Sequence, residues 1–141
     1  AFPLVYAVYV GVAESACAIA IELARKRRVD HHVNQLVGRM ATELRGAQIA
    51  SRHMIEAATK GVPSADSINE VMIGKYLVAQ HAIRAVELAM EAAGGAGFYR
   101  AQGLERRFRD IQGARYHVLQ AGPQAEYAGA MALGLPVDKI F

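Results

Sequence analysis

The chain has 141 residues, of which 53% are hydrophobic and 21% are charged, and its formal net charge is only +3. This length predicts one domain with a single core, and so small a charge gives little support to a nucleic-acid-binding role. Apolar residues recur at helical spacing, and no strand-like alternation of polar and apolar residues stands out. We therefore expect an all-α protein that does not bind nucleic acid.

Five segments with helical periodicity are separated by residues that start and stop helices. The predicted helices are, in chain order, residues 3–28, 30–61, 64–93, 104–111 and 124–133. Pro3 suits the first turn of a helix, Asp30 is the predicted cap of the second helix, and Ser64 or Asp66 is the cap of the third. Because the connections are short, consecutive long helices should be antiparallel. The sequence predicts an up-and-down four-helix bundle over residues 1–141.

The first predicted helix contains an apolar run from Leu4 to Leu23 that is long enough for a membrane span. Glu14 and Glu22 interrupt this run, which favours a buried bundle helix and no membrane association.

The single cysteine, Cys17, lies in the same run and predicts a buried thiol in a reducing compartment. We expect a cytoplasmic protein. The chain opens without Met or a signal peptide, and we expect a fragment of a longer chain.

Basic residues gather at two places. The first group, at the end of the first helix where cations suit the helix dipole, is Arg25, Lys26, Arg27 and Arg28. The second group, around a glycine-rich loop, is Arg100, Arg106, Arg107, Arg109 and Arg115. The second group is suited either to phosphates, or to a solvated face or an intersubunit network of salt bridges. None of the histidines has metal-ligand spacing with another His, Cys or acid, so no metal site is predicted.

The glycine-rich loop follows the third predicted helix and reads Glu91-Ala92-Ala93-Gly94-Gly95-Ala96-Gly97-Phe98, with Glu105 and Arg109-Asp110 beyond it. Adjacent glycines can adopt positive φ and let a ligand approach the backbone closely. From Lys75 to Asp110 the chain resembles the C-terminal domain of the acyl-CoA dehydrogenase family, which often has Gln where this chain has Glu91. The resemblance implies a helical bundle and an FAD-dependent oxidoreductase that dehydrogenates acyl-CoA thioesters.

The resemblance also implies that the domain forms part of an FAD site shared between subunits. Arg27 matches the arginine that ends the first helix and reaches the pyrophosphate of the adjacent subunit's flavin, with its three basic neighbours as alternatives. Glu91, Gly94 and Gly95 match residues that contact the neighbour's FAD, the glycines through their backbone. The family further implies a homodimer or homotetramer, and an electron-transfer flavoprotein or oxygen as the electron acceptor.

The family's catalytic base has no acidic match in this sequence. When Gly122 is aligned with the glycine of the family motif, Ala121 occupies the base position, and the base position used by other members falls close to Ala1. Glu126 and Glu14 are the remaining candidate carboxylates. The base is therefore one of these glutamates, or it lies outside this sequence, or the scaffold serves another flavin reaction.

His117 favours another flavin reaction. An Arg-Asp pair followed seven residues later by His resembles the flavin-dependent monooxygenases of this superfamily. That resemblance implies that His117 lies near the flavin and takes part in proton transfer. A third alternative is an oligomerisation bundle with no chemistry of its own. No residue selects the substrate, which is expected to be an acyl-CoA or another small molecule.

Overall fold

The computed structural model describes residues 1–140, which fold into helices joined by short connections. Five α-helices occur in this range: α1 (Phe2–Arg25), α2 (His31–Thr59), α3 (Ala65–Ala93), α4 (Leu104–Ile111) and α5 (Ala121–Leu133). Short 3-10 turns span Gly94–Phe98, Arg100–Gln102 and Gln112–Arg115. The prediction of an all-α helical bundle is confirmed.

The starts of α2 and α3 are fixed by capping residues that the sequence suggests. Asp30 accepts a hydrogen bond from the backbone N–H of Val33 at 2.9 Å, and this bond holds the pKa of the Asp30 carboxyl below its usual range. Ser64, rather than Asp66, caps α3. Its hydroxyl accepts a hydrogen bond from the N–H of Ser67, while the Ser67 hydroxyl accepts one from the N–H of Ser64. This reciprocal pair satisfies two backbone donors at the start of α3.

Two predicted helix bounds were wrong by about one turn. The first helix ends at Arg25 instead of Arg28, because Arg27 turns toward the end of α3 and Asp30 adopts an extended backbone to cap α2. The last helix starts at Ala121 instead of Gln124. Pro123 then lies in the first turn of α5, where a missing N–H is tolerated.

The core is built around α3, which packs against each of the other four helices. Small side chains fill much of the contact between α1 and α3; those that are fully buried include Ala13, Ala16, Ala20, Ala82, Ala85 and Ala89. Small residues at a helix contact let the backbones approach closely. Cys17 is buried among them, as the sequence predicts, and burial together with the Glu14 carboxylate raises the pKa of its thiol to about 11. The thiol therefore stays protonated and unreactive near neutral pH.

By length and composition, α1 also qualifies as a helix able to cross a membrane. One side of α1 lies in the bundle core, with Tyr6, Ala13 and Ala20 completely buried. Another side is open, and Leu4 and Val8 are 78% and 65% exposed. The open side is thus an apolar surface without a partner among residues 1–140.

Two helical glycines give a paired test of the contact between α2 and α3. A Cβ on Gly74 would lie 3.0 Å from the Met54 Cβ and 3.4 Å from the Ala50 carbonyl oxygen, whereas a Cβ on Gly38 would meet no atom within 4 Å. We expect Gly74→Ala to lower the free energy of unfolding by about 1–3 kcal/mol because of overpacking. Gly38→Ala should raise it by about 0.5–1 kcal/mol, the helix propensity difference. Urea unfolding measures both, and changes of the same sign would contradict the packing described.

Candidate functional site

The predicted site residues lie at two positions along the paired helices α1 and α3. Arg27, Glu91, Gly94 and Gly95 are at the carboxyl end of α3, whereas His117 lies near the start of α1 and packs close to Lys75. At about 1.5 Å per helical residue, Lys75 and Ala92 are roughly 25 Å apart along α3. The residues therefore form two separate sites, and each contains part of α1 and part of α3.

At the carboxyl end of α3, Arg27 and Gly94 are in direct contact. The Arg27 guanidinium donates a hydrogen bond to the Ala92 carbonyl, and one of its nitrogens lies 3.0 Å from the place where a Cβ on Gly94 would be. Gly94 has φ of 63°, which disfavours any other residue there. The guanidinium thus satisfies a carbonyl left open at the helix end and suits the helix dipole.

Gly95 and Glu91, the two other residues predicted for this site, do not contact Arg27 in the way that Gly94 does. Gly95 is exposed and does not share the positive φ that the sequence allowed for both glycines. Glu91 is half-exposed, and its carboxylate lies 3.8 Å from the Arg84 guanidinium, which also pairs with Glu87 at 3.1 Å. The negative charge of Glu91 is therefore partly offset by a neighbouring cation.

The remaining basic residues are mostly engaged with their own surroundings. Arg25 pairs with Glu22 at 2.9 Å on the surface of α1. In the second group, Arg107 donates to the Ser15 hydroxyl and to the Gly103 carbonyl, both at 3.0 Å. The other contacts of that group are Arg106 with Asp110, Arg109 with Glu105, and Arg115 with Gln112. Two members of the group, Arg106 and Arg109, thus form salt bridges within this chain, while Arg107 and Arg115 bond to uncharged groups.

At the opposite end of α1 and α3, His117 lies in an aromatic cluster. Its Nε2 atom is 2.6 Å from the hydroxyl oxygen of Tyr9, and its ring packs edge-on against the rings of Tyr6 and Tyr9 with centroid distances of 5.8 and 5.6 Å. The Tyr6 hydroxyl donates to the Ala114 carbonyl at 2.7 Å. A Cβ on Gly113 would lie 2.7 Å from the Tyr9 oxygen, so glycine is needed there for the cluster to close.

Lys75 completes this cluster from α3. The residue is 4% exposed, and its ammonium donates to the carbonyls of Leu119 at 2.7 Å and His117 at 3.4 Å. The same ammonium lies 5.1 Å from the ring centroid of Tyr6 and 5.6 Å from that of Phe2, distances typical of cation–π contacts. Burial lowers the pKa of Lys75 because the charged form is desolvated.

Sequence reasoning identified His117 but assigned no role to Tyr6, Tyr9 or Lys75. A signal existed for the tyrosines, because residues three apart on a helix lie on one face, and both interrupt an apolar run. Lys75 is likewise a charged residue within a largely apolar helix. Their contacts with residues 114–119 join parts of the chain that are far apart in sequence, which no local pattern reveals.

Two cavities adjoin the cluster. The smaller, of about 180 Å³, is lined by polar and apolar residues that include Lys75, Tyr76, Gln80, Arg115, Gln120 and Ala121. The larger, of about 380 Å³, is mainly apolar and is lined by residues that include Phe2, Val62, Ile68, Val71, Met72 and Leu119. Within residues 1–140, no carboxylate lines either cavity.

The candidate bases are placed unequally around these cavities. Ala121, at the position of the family's base, lines the smaller cavity but has no group that could accept a proton. Glu126 is exposed on α5, and Glu14 is exposed on α1, where it accepts a hydrogen bond from Gln48 at 2.9 Å. Neither glutamate lines either cavity.

Among residues 1–140, no cluster of three His, Cys, Asp or Glu side chains is arranged to hold a metal ion.

Comparison with known proteins identifies related sequences and folds. The family model described as acyl-CoA dehydrogenase, C-terminal domain, matches residues 3–117. No curated protein matches the chain.

Several solved structures share the fold. KijD3, solved in complex with FMN and dTDP-3-amino-2,3,6-trideoxy-4-keto-3-methyl-D-glucose, superposes with a TM-score of 0.86 at 21% identity, over 96% of this chain and 36% of KijD3. XiaF from Streptomyces sp., solved with FADH2 and glycerol, gives 0.85 at 19% identity, over 97% and 39%. The HsaA monooxygenase from M. tuberculosis gives 0.83 at 19% identity, over 96% and 39%. The chain thus spans less than two fifths of each of these proteins.

Tyr6→Phe tests how the Tyr6 hydroxyl supports the cluster. At neutral pH we expect a loss of about 1–3 kcal/mol in the free energy of unfolding, because the Ala114 carbonyl loses its buried partner. The pKa of Tyr6 is raised from 10.0 to about 12, mainly by burial. Between these values the unfolded chain loses the proton while the folded chain keeps it, so wild-type stability falls with rising pH. The difference between wild type and variant should therefore shrink from pH 10 to 12.

Denaturant unfolding at pH 8 and at several values above pH 10 measures this difference. Tyr116→Phe is the matched control, because Tyr116 is 69% exposed, and its effect should stay within about 0.5 kcal/mol at every pH. A Tyr6→Phe effect that stays constant over this range would contradict the assignment.

Proposed function

The chain belongs to the acyl-CoA dehydrogenase family, whose C-terminal domain it matches, and on this premise we propose that it is the helical C-terminal domain of a flavin-dependent oxidoreductase. KijD3 was solved with FMN and XiaF with FADH2, which supports a flavin as the cofactor. The domain would supply part of a flavin site and part of a subunit interface. The rest of the flavin site would come from other parts of the full-length protein.

The carboxyl end of α3 is suited to the phosphate part of such a cofactor. Arg27 uses one nitrogen on the Ala92 carbonyl, and an arginine has five N–H donors, so its exposed guanidinium keeps donors for an anion. Gly95 is exposed and a Cβ on it would meet no atom within 4 Å, which leaves its backbone accessible. The pairing of Glu91 with Arg84 reduces repulsion between that carboxylate and a phosphate. We propose FAD, because its pyrophosphate offers two phosphates to Arg27 and the glycines.

The missing carboxylate near His117 carries the proposal for the reaction. Removal of the α-proton of an acyl thioester requires a base, and among residues 1–140 no acidic residue lines either cavity that adjoins the aromatic cluster. A bound flavin accepts hydride or, once reduced, reacts with oxygen. We propose that the full-length protein carries out a monooxygenase reaction on a small molecule. The shared fold of the HsaA monooxygenase supports this choice.

In this reaction His117 would hold a proton at Nδ1. Burial raises the pKa of Tyr9, so its hydroxyl stays protonated and can donate to Nε2 of His117. Neutral His117 then carries its own proton on Nδ1, which has no hydrogen-bond partner among the described residues. A group that holds a proton can deliver it to a reacting oxygen and take one back; His117 lines neither cavity itself, so the rest of the full-length protein would complete this site.

A second candidate function is α,β-dehydrogenation of an acyl-CoA thioester. The apolar cavity of about 380 Å³ beside Leu119 favours it, since an acyl chain would fit its lining. This function needs a base from outside residues 1–140 or a rearrangement that brings Glu126 inward. The electron acceptor would then be an electron-transfer flavoprotein rather than oxygen.

The domain is also proposed to assemble subunits into a homodimer or homotetramer. Leu4 and Val8 form an exposed apolar side of α1, and Phe98 is 76% exposed at the glycine loop. Exposed apolar surface of this kind is usually covered in the functional protein. The same contacts would bring the α3 end of one subunit to the flavin of another.

Substitution of Arg27 tests the composite flavin site. We expect Arg27→Ala in the full-length protein to weaken flavin binding by about tenfold or more, because a charge-assisted hydrogen bond contributes roughly 1.5–3 kcal/mol. Arg28→Ala is the control, since Arg28 is exposed one residue away and touches neither Ala92 nor Gly94. The flavin-to-protein ratio after desalting measures retention. Retention by Arg27→Ala at the wild-type level would exclude Arg27 from the site, and a loss confined to Arg28→Ala would assign the contact to Arg28.

The reaction itself is tested by mixing the full-length flavoprotein anaerobically with a panel of acyl-CoA thioesters. We expect the absorbance of the oxidised flavin to remain, because among residues 1–140 no carboxylate lines either cavity. After the flavin is reduced by another route, we expect rapid oxygen consumption that His117→Ala slows by about tenfold or more, the scale of one general acid or base. Bleaching by any thioester would instead establish dehydrogenation.

A further inference from the structure

Lys75 is a buried cation with no assigned role in the proposed function. It is 4% exposed, within the aromatic cluster that also holds Tyr6 and His117. Burying an ammonium group costs several kcal/mol unless hydrogen bonds compensate for the lost water. Methionine would fill a similar volume without that cost, so the contacts of the Lys75 ammonium are what distinguish lysine at this position.

Both hydrogen bonds of the Lys75 ammonium go to the segment that carries His117, while its cation–π contacts are with Tyr6 and Phe2. The ammonium donates to the carbonyls of His117 and Leu119, which follow the last 3-10 turn and precede α5. From the opposite side, Tyr6 donates to the Ala114 carbonyl. Within this segment the His117 ring also contacts the Tyr9 hydroxyl, whereas Tyr116 and Val118 point outward and are 69% and 70% exposed. Residues 114–119 are thus held at their carbonyls by one residue of α1 and one of α3.

We propose that Lys75 is a positioning residue for His117. By holding the carbonyls on either side of Val118, the ammonium fixes the backbone of His117 and keeps Nε2 within hydrogen-bond distance of the Tyr9 hydroxyl. This inference rests on the proton-transfer role proposed for His117, in which the Tyr9 bond leaves the proton on Nδ1. Without Lys75 both carbonyls would turn to water, and the imidazole would no longer be held against Tyr9.

The first test measures the position of His117 without any catalysis. The full-length flavoprotein and its Lys75→Met variant are treated with diethyl pyrocarbonate, and modification of each histidine is followed by peptide mass spectrometry. We expect His117 to react about fivefold faster or more in Lys75→Met, because a part-buried, hydrogen-bonded ring becomes accessible. Lys75→Arg, which keeps a cationic donor, should restore part of the protection.

Internal controls separate a local effect from general unfolding. His53 pairs with Glu70 at 2.7 Å and His81 with Glu43 at 2.6 Å, both between α2 and α3, and their modification rates should not change. Lys60→Met is the matched control, because Lys60 is exposed and lies 3.9 Å from Glu56. An unchanged rate at His117 in Lys75→Met would overturn the proposal, whatever reaction the protein performs.

The second test measures whether Lys75 acts through His117. Reoxidation of the reduced flavin by oxygen is followed in Lys75→Met, His117→Ala and the double variant. We expect Lys75→Met to slow the reaction in the wild-type background and to have no further effect when His117 is absent. Fully additive losses would overturn the positioning role. If the ring is released in Lys75→Met but His117→Ala reacts at the wild-type rate, the positioning role stands and the function proposed for His117 fails.

Discussion

The close packing of α1 against α3 is the contact on which the rest of the structure depends. The two helices pack against each other, and both contribute completely buried alanines such as Ala16 and Ala85 to the same core. Their amino-terminal halves hold the tyrosines and Lys75, and Arg27 meets Gly94 just beyond their carboxyl ends. A change in the distance between the helices would therefore disturb both candidate sites together, although the two sites are roughly 25 Å apart.

Helix capping explains how much of the fold can be read from the sequence. Asp30, Ser64 and the glycine at position 94 act through neighbours within a few residues, so local pattern is enough to place α2 and α3. The end of α1 is different, because it depends on where the Arg27 side chain finds a partner, and that partner is Ala92 on another helix. The predicted start of α5 is too late because it places Pro123 before the helix. Proline is compatible with the first turn of a helix, and Pro123 lies there.

The candidate site could be predicted in part. The residues of the glycine loop and His117 can be identified from residue type and spacing in the sequence. Tyr6, Tyr9 and Lys75 cannot, because their roles depend on contacts with the Ala114 carbonyl, the His117 ring and the Leu119 carbonyl. Ala121, in contrast, is a position that the sequence alone identifies. Its alignment with a catalytic position is visible in the sequence, and the cavity beside it explains why a missing carboxylate matters, since no other acid faces the same space among residues 1–140.

The hydrogen bonds of the aromatic cluster also say something about how this domain folds. The bond from Tyr6 to Ala114 and the contact of Tyr9 with His117 each join residues 108 positions apart. Closing a loop of that length costs conformational entropy that local helix contacts do not, and such contacts form slowly. The cluster should consequently be among the last parts of the domain to assemble. The chemistry proposed for His117 would then appear only in molecules whose folding is complete.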